Sequence, residues 1–292
     1  MLLLDKPSGL SSNAALQAVK RLYRAAKAGH TGTLDPLASG VLPVLFGEAT
    51  KFAQFLLEAD KEYIAVIRLG ETTSTGDAEG KVLARKPVQV DDRSIEEALA
   101  RFRGSIEQIP PMHSALKREG KPLYLLARQG KEVERRPRRV QIRELELLAR
   151  RGERLELRVR CSKGTYVRAL AQDIGVVLGT GAHLAALQRN AAGGFLRADA
   201  KTLNALEEMS MAERDACLIP IERLVKGLPR IELPPEAERR FRNGRTVAPF
   251  ALEPGTCAVF GVGHGLIGLG ELGPDGVLRP LRLSSASAQA AE

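Results

Sequence analysis

The chain has 292 residues, 44% of them hydrophobic and 27% charged, an ordinary folded composition with room for one large domain and a small one, or two of moderate size. Lys and Arg number 44 against 35 Asp and Glu, and the resulting +9 charge favours a polyanionic partner. No window approaches the 18 or so apolar residues of a membrane span, and three cysteines at 161, 217 and 257, none in a C-x-x-C pair, are a poor disulfide framework and fit a reducing compartment.

The three leucines at 2–4 predict a short buried strand that ends at the Lys6-Pro7-Ser8-Gly9 turn. They are too few for the apolar core of a signal peptide, and a cytoplasmic protein is expected. Ser11 or Ser12 caps a helix whose apolar face carries Leu16, Val19, Leu22 and Tyr23. A loop rich in Gly, Thr and Pro fills 29–40. A buried strand follows over 41–46, where Pro43 points to an edge or a bulge. A helix over 49–59 presents Phe52, Phe55 and Leu56, and 63–69 is a further strand. Residues 93–103 read as helix, 140–148 and 155–161 as strands. A strong helix spans 165–178, with Val167, Leu170, Ile174 and Val177 at helical spacing. The order lacks a regular βαβ rhythm, which predicts an α+β architecture with a mixed, mostly antiparallel sheet.

Residues 117–151 hold twelve Lys and Arg against five Glu. Such a run is either a solvated face or an arm that tracks phosphates. From 228 the character changes. Pro229, Pro234 and Pro235 mark a linker, and strand-like runs over 256–262, 266–272 and 277–283 predict a small all-β, barrel-like module. The expected domains are therefore 1–227, with a basic segment at about 105–151, then 228–283, then a disordered tail over 284–292.

Several motifs carry no chemistry. The GHGLIG run at 263–268 satisfies G-x-G-x-x-G formally, but the close glycines and Pro274 after it forbid the helix that a dinucleotide site needs. The loop at 29–33 lacks the Gly-Lys-Ser/Thr of a Walker A sequence. The four histidines are scattered, so no metal site is expected.

Two segments stand out. In Gly29-His30-Thr31-Gly32-Thr33-Leu34-Asp35-Pro36, the proline biases Asp35 away from the α region, so its carboxylate either projects from a rigid loop or bonds nearby amides in an Asx turn. In Cys161-Ser162-Lys163-Gly164-Thr165-Tyr166-Val167-Arg168, a strand turns into a helix capped by Thr165. Lys163 and Arg168 would make that helix start an anion site, unless Arg168 pairs with a carboxylate of the fold.

Together these segments resemble the TruB family of tRNA pseudouridine(55) synthases. Leu4-Asp5-Lys6-Pro7-Ser8-Gly9 is similar to its opening motif. Residues 29–43 (GHTGTLDPLASGVLP) with 47–51 (GEATK) resemble the motif bearing the catalytic aspartate, and Lys61-Glu62-Tyr63 the one bearing the active-site tyrosine. Ile109-Pro110-Pro111 with Ser114-Ala115 and Lys117 resembles another family signature. Residues 163–175 (KGTYVRALAQDIG) resemble the motif whose arginine pairs with the aspartate, and 181–195 the segment that closes the pocket. Gln188 stands where a basic residue is usual in the family. The C-terminal module is similar in position and length to a PUA-like domain.

The resemblance implies a pseudouridine synthase type of catalytic domain that isomerises a uridine of the tRNA T-arm loop, without cofactor or metal. It implies that Asp35, Tyr63 and Arg168 are catalytic. Tyr63 would stack on the flipped uracil and assist removal of the C5 proton, and Leu187 would form an apolar wall. His30 would pack into the RNA loop that the base has left, with Lys6, Tyr166 and Lys163 as further substrate-binding residues. Asp35 then attacks the sugar or the base, or removes a sugar proton; the sequence leaves all three routes open. A T-arm stem-loop is the implied partner, bound by base flipping and read by shape and phosphates, by a monomer with no obligate protein partner. Two other readings are a guide-RNA-dependent synthase, against which the short N-terminus and the lack of long basic extensions argue, and a non-catalytic tRNA-binding or folding protein, against which the set Asp35, Tyr63 and Arg168 argues.

Overall fold

A computed structural model describes residues 1–284 apart from Ala115, Glu119, Glu132, Ala251 and His264. The main sheet is built from β1 (Leu2–Lys6), β2 (Ala28–His30), β3 (Ser39–Phe46), β4 (Lys61–Leu69), β5 (Gly104–Gln108), β6 (Arg138–Arg151), β7 (Arg154–Cys161), β8 (Ala182–Ala192) and β9 (Lys201–Thr202). Its order is β9-β1-β3-β8-β4-β7-β6-β5, with β2 beside β3 and the short strand Phe195–Leu196 beside β8. The β9-β1 and β3-β8 pairs are parallel and the others antiparallel, so the sheet is mixed and mostly antiparallel as expected.

Side chains alternate across a strand, and β1 uses both faces. Leu2 and Leu4 join a core with Ala15, Leu16 and Val19 of α1 (Ser12–Leu22), Ile95 and Leu99 of α3 (Asp92–Ala100), and Leu170 and Ile174 of α4 (Val167–Val177). Met1 and Leu3 turn to the other face and pack with Val41, Leu45, Phe52 and Leu56, the last from α2 (Ala53–Glu58). Strands buried on both faces read as continuous apolar runs, which is why 2–4 and 41–46 do. Tyr63 to Leu69 are nearly as apolar, but only alternate residues are buried and the intervening ones are half-exposed.

Pro43 does not lie on an edge. It pairs with Leu3 of β1, while on its other side β3 passes from β8 at Gly40 to β2 at Val44. In that interval Val41 O accepts from the Arg189 guanidinium and Pro43 O from the Thr31 amide, so the absent N–H falls where β3 changes partners. Nor does Thr165 cap α4: its hydroxyl donates to Ser162 O at 3.0 Å, and the helix starts after Tyr166 with no side-chain cap. Part of the basic stretch belongs to the sheet, since β6 begins at Arg138 and pairs with β5 and β7. The excursion from the sheet is confined to 109–137.

The C-terminal module has the three expected strands, β11 (Gly255–Gly261), β12 (Leu266–Leu272) and β13 (Leu278–Leu283). A fourth, β10 (Arg230–Leu233), runs parallel to β11, and α5 (Pro235–Arg242) follows it. The prolines expected to mark a linker therefore bracket a strand. The strand over 266–272 also replaces the helix that a dinucleotide motif would need. Ala258, Phe260, Leu266 and Leu269 share the core of Met1, Leu3 and Phe52, so the module is packed onto the main sheet. The fold runs through Ser284, which is buried and donates its amide to Ile267 O; the rest of the expected tail, 285–292, lies outside the described residues. Among the described residues no helix is long and apolar enough to cross a membrane.

Candidate active site

One row crosses five strands at the same end of the sheet. Lys6 pairs with Gly40, Gly40 with Arg189, Arg189 with Tyr63, and Tyr63 with Val159. The loop between β2 and β3, which carries Asp35, hangs over this end. Paired residues of a row share a face, and Leu187, two residues before Arg189, lies on it as well.

The loop is fastened from below. The two serines at the start of α1 divide the work: Ser11 caps the helix by accepting from Ala14 N, and buried Ser12 both donates to Leu34 O at 2.7 Å and accepts from Leu34 N at 2.8 Å. Gly9 N donates to Pro36 O at 2.7 Å and Ser8 Oγ to Leu37 O at 2.8 Å. Ala38 N donates to Asp35 O, closing a turn with Pro36 in its second position. Asp35 is thus flanked by anchored residues, and its carboxylate projects outward.

Arg168, in the first turn of α4, meets it side-on. Nε lies 2.9 Å from Asp35 Oδ2 and Nη2 3.2 Å from Oδ1, a two-pronged contact that fixes the carboxylate plane. The same guanidinium donates to His113 O at 2.7 Å and stands 3.6 Å from Asp77 Oδ2. Its side chain is 5% exposed and that of Asp77 4%, whereas that of Asp35 is 36% exposed. The partners lie behind and the carboxylate faces out. Burial pushes the Asp35 carboxyl above its ordinary value of 3.8; Arg168 draws it back, and the like charge of Asp77 pushes it further up.

Tyr63 is 9% exposed. Burial raises its hydroxyl pKa, with Arg189 the largest opposing influence and Asp35 close enough to add to the rise. Leu187 is half-buried against the main core. Tyr166 is half-buried, its backbone held by the Gln108 side chain through Tyr166 N to Oε1 (3.0 Å) and Nε2 to Tyr166 O (3.3 Å), and burial raises its hydroxyl pKa. His30 ends β2; burial and Arg189 lower its pKa, and Nδ1 is buried without a partner. Lys6 is fully buried, and its ammonium donates to Pro7 O (2.8 Å) and Leu10 O (2.6 Å). That fastens the opening motif, and burial lowers its pKa to about 8 despite the pull of Asp35. Lys163 is exposed on the turn before α4 and ion-paired with Glu58; of the two readings of this helix start, the structure shows the one in which Arg168 pairs with a carboxylate, turned inward while Lys163 points outward. Sequence reasoning missed Asp77, whose signal was a carboxylate within the polar turn Thr73-Ser74-Thr75-Gly76-Asp77, and Arg189, a lone charge inside a strand.

The chain is similar to known proteins over nearly its full length. The family description "TruB family pseudouridylate synthase (N terminal domain)" fits residues 20–167, "tRNA pseudouridylate synthase B C-terminal domain" fits 168–226, and "Pseudouridine synthase II TruB, C-terminal" fits 229–284. The chain belongs to the TruB family. It is 56% identical to a protein of Azoarcus sp. (strain BH72) named tRNA pseudouridine synthase B, over 97% of this chain and 94% of the relative. A protein of the same name from Dechloromonas aromatica (strain RCB) is 54% identical over the same shares. Among solved structures, "Crystal Structure of a Cbf5-Nop10-Gar1 Complex" contains a chain 27% identical, with a TM-score of 0.73 over 98% of this chain and 84% of that one. Another, "Structure of H/ACA RNP bound to a substrate RNA containing 2'-deoxyuridine", gives 26% and 0.73 over 97% and 84%.

Proposed function

We propose that this TruB-family protein isomerises a uridine of tRNA, at position 55 in the T-arm loop, to pseudouridine, with Asp35, Arg168 and Tyr63 as the catalytic residues. One observation carries the reading: a carboxylate held by a buried guanidinium, yet itself open to solvent, at the end of the sheet where Tyr63 stands. The relatives named tRNA pseudouridine synthase B support the substrate.

The reaction breaks the N1–C1′ bond, turns the uracil and joins C5 to C1′; one proton leaves C5 and one arrives at N1, so nothing is oxidised or reduced. Buried Arg168 holds Asp35 ionised and oriented for the first step, whichever of the three routes it takes. The target base must leave its stack to reach a group set into a loop, so flipping is required. Tyr63 and Leu187, on one face of the sheet, receive the uracil, and the Tyr63 oxygen takes the C5 proton. His30 fills the space left in the RNA loop, Tyr166 lines the pocket beside Arg168, and Lys163 lies on the RNA-facing surface. The excursion at 109–137 clamps the stem by its phosphates.

The reading extends to a monomer in the cytoplasm that needs no protein partner; its three free cysteines support a reducing compartment. The test is the purified chain with a T-arm stem-loop transcript and no added RNA or protein, assayed for pseudouridine by mass spectrometry. Product should form with the unaltered chain and vanish with Asp35→Asn while the transcript still binds. Modification by Asp35→Asn at the normal rate would refute the assignment, and a requirement for an added guide RNA would favour the guide-dependent reading.

A further inference from the structure

Arg189 is among the largest side chains that the fold buries completely, at 1% exposure. Among the described residues no carboxylate lies within ion-pair distance of it. A buried cation without a carboxylate is costly and is kept only where something specific compensates. Its surroundings show what that is. Nη1 donates to Gly32 O at 2.9 Å and Nε to Val41 O at 2.8 Å. Gly32 opens the loop that carries Asp35, and Val41 lies in β3 just past the loop's other end. The same residue pairs directly with Tyr63 across the β8-β4 ladder, so the guanidinium and the phenol share one face of the sheet. The remaining nitrogen, Nη2, is buried without a partner.

We propose that Arg189 is a positioning residue for the isomerisation: it fastens both ends of the Asp35 loop and stands as a fixed positive charge beside the Tyr63 phenol. The charge matters because the C5 proton has to leave to a base. Burial by itself opposes the phenolate, and so do the neighbouring Cys161 and Asp35; Arg189 is the group that favours it. The charged groups around Arg189 are Lys6, His30 and Lys61, from β1, β2 and β4, and each has its own proton affinity lowered by it. Burial is the larger cause in all three, and at Lys6 the pull of Asp35 outweighs Arg189, so Arg189 acts here as one fixed positive charge among cations and the Asp35 carboxylate. The fork and the charge are separable functions. Lysine keeps the charge without the two-pronged reach, and glutamine keeps a donor without the charge.

This inference rests on the proposed function and is tested by single-turnover kinetics on a T-arm stem-loop whose target uridine carries either hydrogen or deuterium at C5. Arg189→Gln should react about a hundredfold more slowly, bind RNA as before, and show a larger C5 isotope effect than the unaltered protein, because removal of the C5 proton has become limiting. Arg189→Lys should lose rate through a looser loop while its isotope effect stays as in the unaltered protein. Tyr63→Phe should raise the isotope effect as Arg189→Gln does. Arg189→Met, equally uncharged, replaces the glutamine variant if that does not fold. A rate loss in the uncharged variant with an unchanged isotope effect overturns the inference, since a structural defect slows every step alike, and so do full rates in both variants. The functional reading fails separately, if the unaltered protein forms no pseudouridine.

Discussion

Gly40 and Arg189 lie side by side in parallel register, and a methyl group at position 40 would stand 2.2 Å from the Arg189 carbonyl oxygen. Gly40 also has φ of +109°, which side-chain-bearing residues rarely adopt. The two strands that bring the Asp35 loop against Tyr63 can approach this closely only because one of them has no side chain there.

Gly40→Ala should therefore be far more damaging than an equally strained glycine in open space. Gly9, with φ of +84° and nothing near its would-be methyl, is the comparison. Gly9→Ala should cost about 1–2 kcal/mol from the backbone alone. Gly40→Ala adds a backbone clash, for which more than about 3 kcal/mol is expected, and thermal denaturation of the two variants side by side gives the answer. Equal losses would mean that the strands separate freely at this point.

Arg168 neutralises two carboxylates, and only one of them can turn to water. Arg168→Met leaves Asp77 buried without the one cation that pairs with it among the described residues. A loss of about 3–5 kcal/mol of stability is expected, along with the loss of turnover. Arg168→Lys keeps a charge but offers no planar fork, so it should retain more stability than activity. Urea denaturation and single-turnover rates of the two variants separate these effects; full activity in the lysine variant would count against the two-pronged contact.

Because Asp35 must be ionised, the rate should fall as pH drops through its pKa, and burial places that pKa above the ordinary 3.8. The neighbours fix the direction of two further shifts. Asp77→Asn removes the like charge that pushes the carboxyl up, so the acid limb of the rate profile should move to lower pH. Arg168→Lys weakens the pull in the other direction and should move it to higher pH. Shifts of the same sign in both variants would show that another group controls the limb.

The strands and helices were legible because their periods and end signals are local. Paired serines before an apolar stripe give α1, and the short apolar run from Tyr63 to Leu69 gives a strand. Asp35 was conspicuous since a polar, proline-bounded loop between two apolar elements presents few side chains. What local pattern cannot encode is pairing across the sheet. Asp77 joins the site only because Arg168, far away in sequence, reaches it. Arg189 looks like any strand charge until the register places it opposite Tyr63 and between Gly32 and Val41. The burial of Lys6 is likewise non-local: a lysine beside a turn gives no sign that the Pro7 and Leu10 carbonyls fold back around its ammonium. Pro43 misled for the same reason, since an interior strand can spare an N–H where it changes neighbours.

The cations at the foot of the 109–137 excursion give the last prediction. Arg136, Arg138 and Arg139 are exposed, and the first two line a cleft of about 340 Å³ with Pro110, Leu116 and Leu123. If this face tracks the RNA backbone, each contact releases counterions, and the affinity for a T-arm stem-loop falls steeply as salt rises. Replacing all three arginines with glutamine should then weaken binding at low salt and lower the slope of log K against log salt by about 2. A solvated face would behave otherwise: removing three of its charges changes the long-range attraction a little but leaves the slope nearly intact. Filter binding at several salt concentrations distinguishes the two, and an unaltered slope would assign the clamp elsewhere.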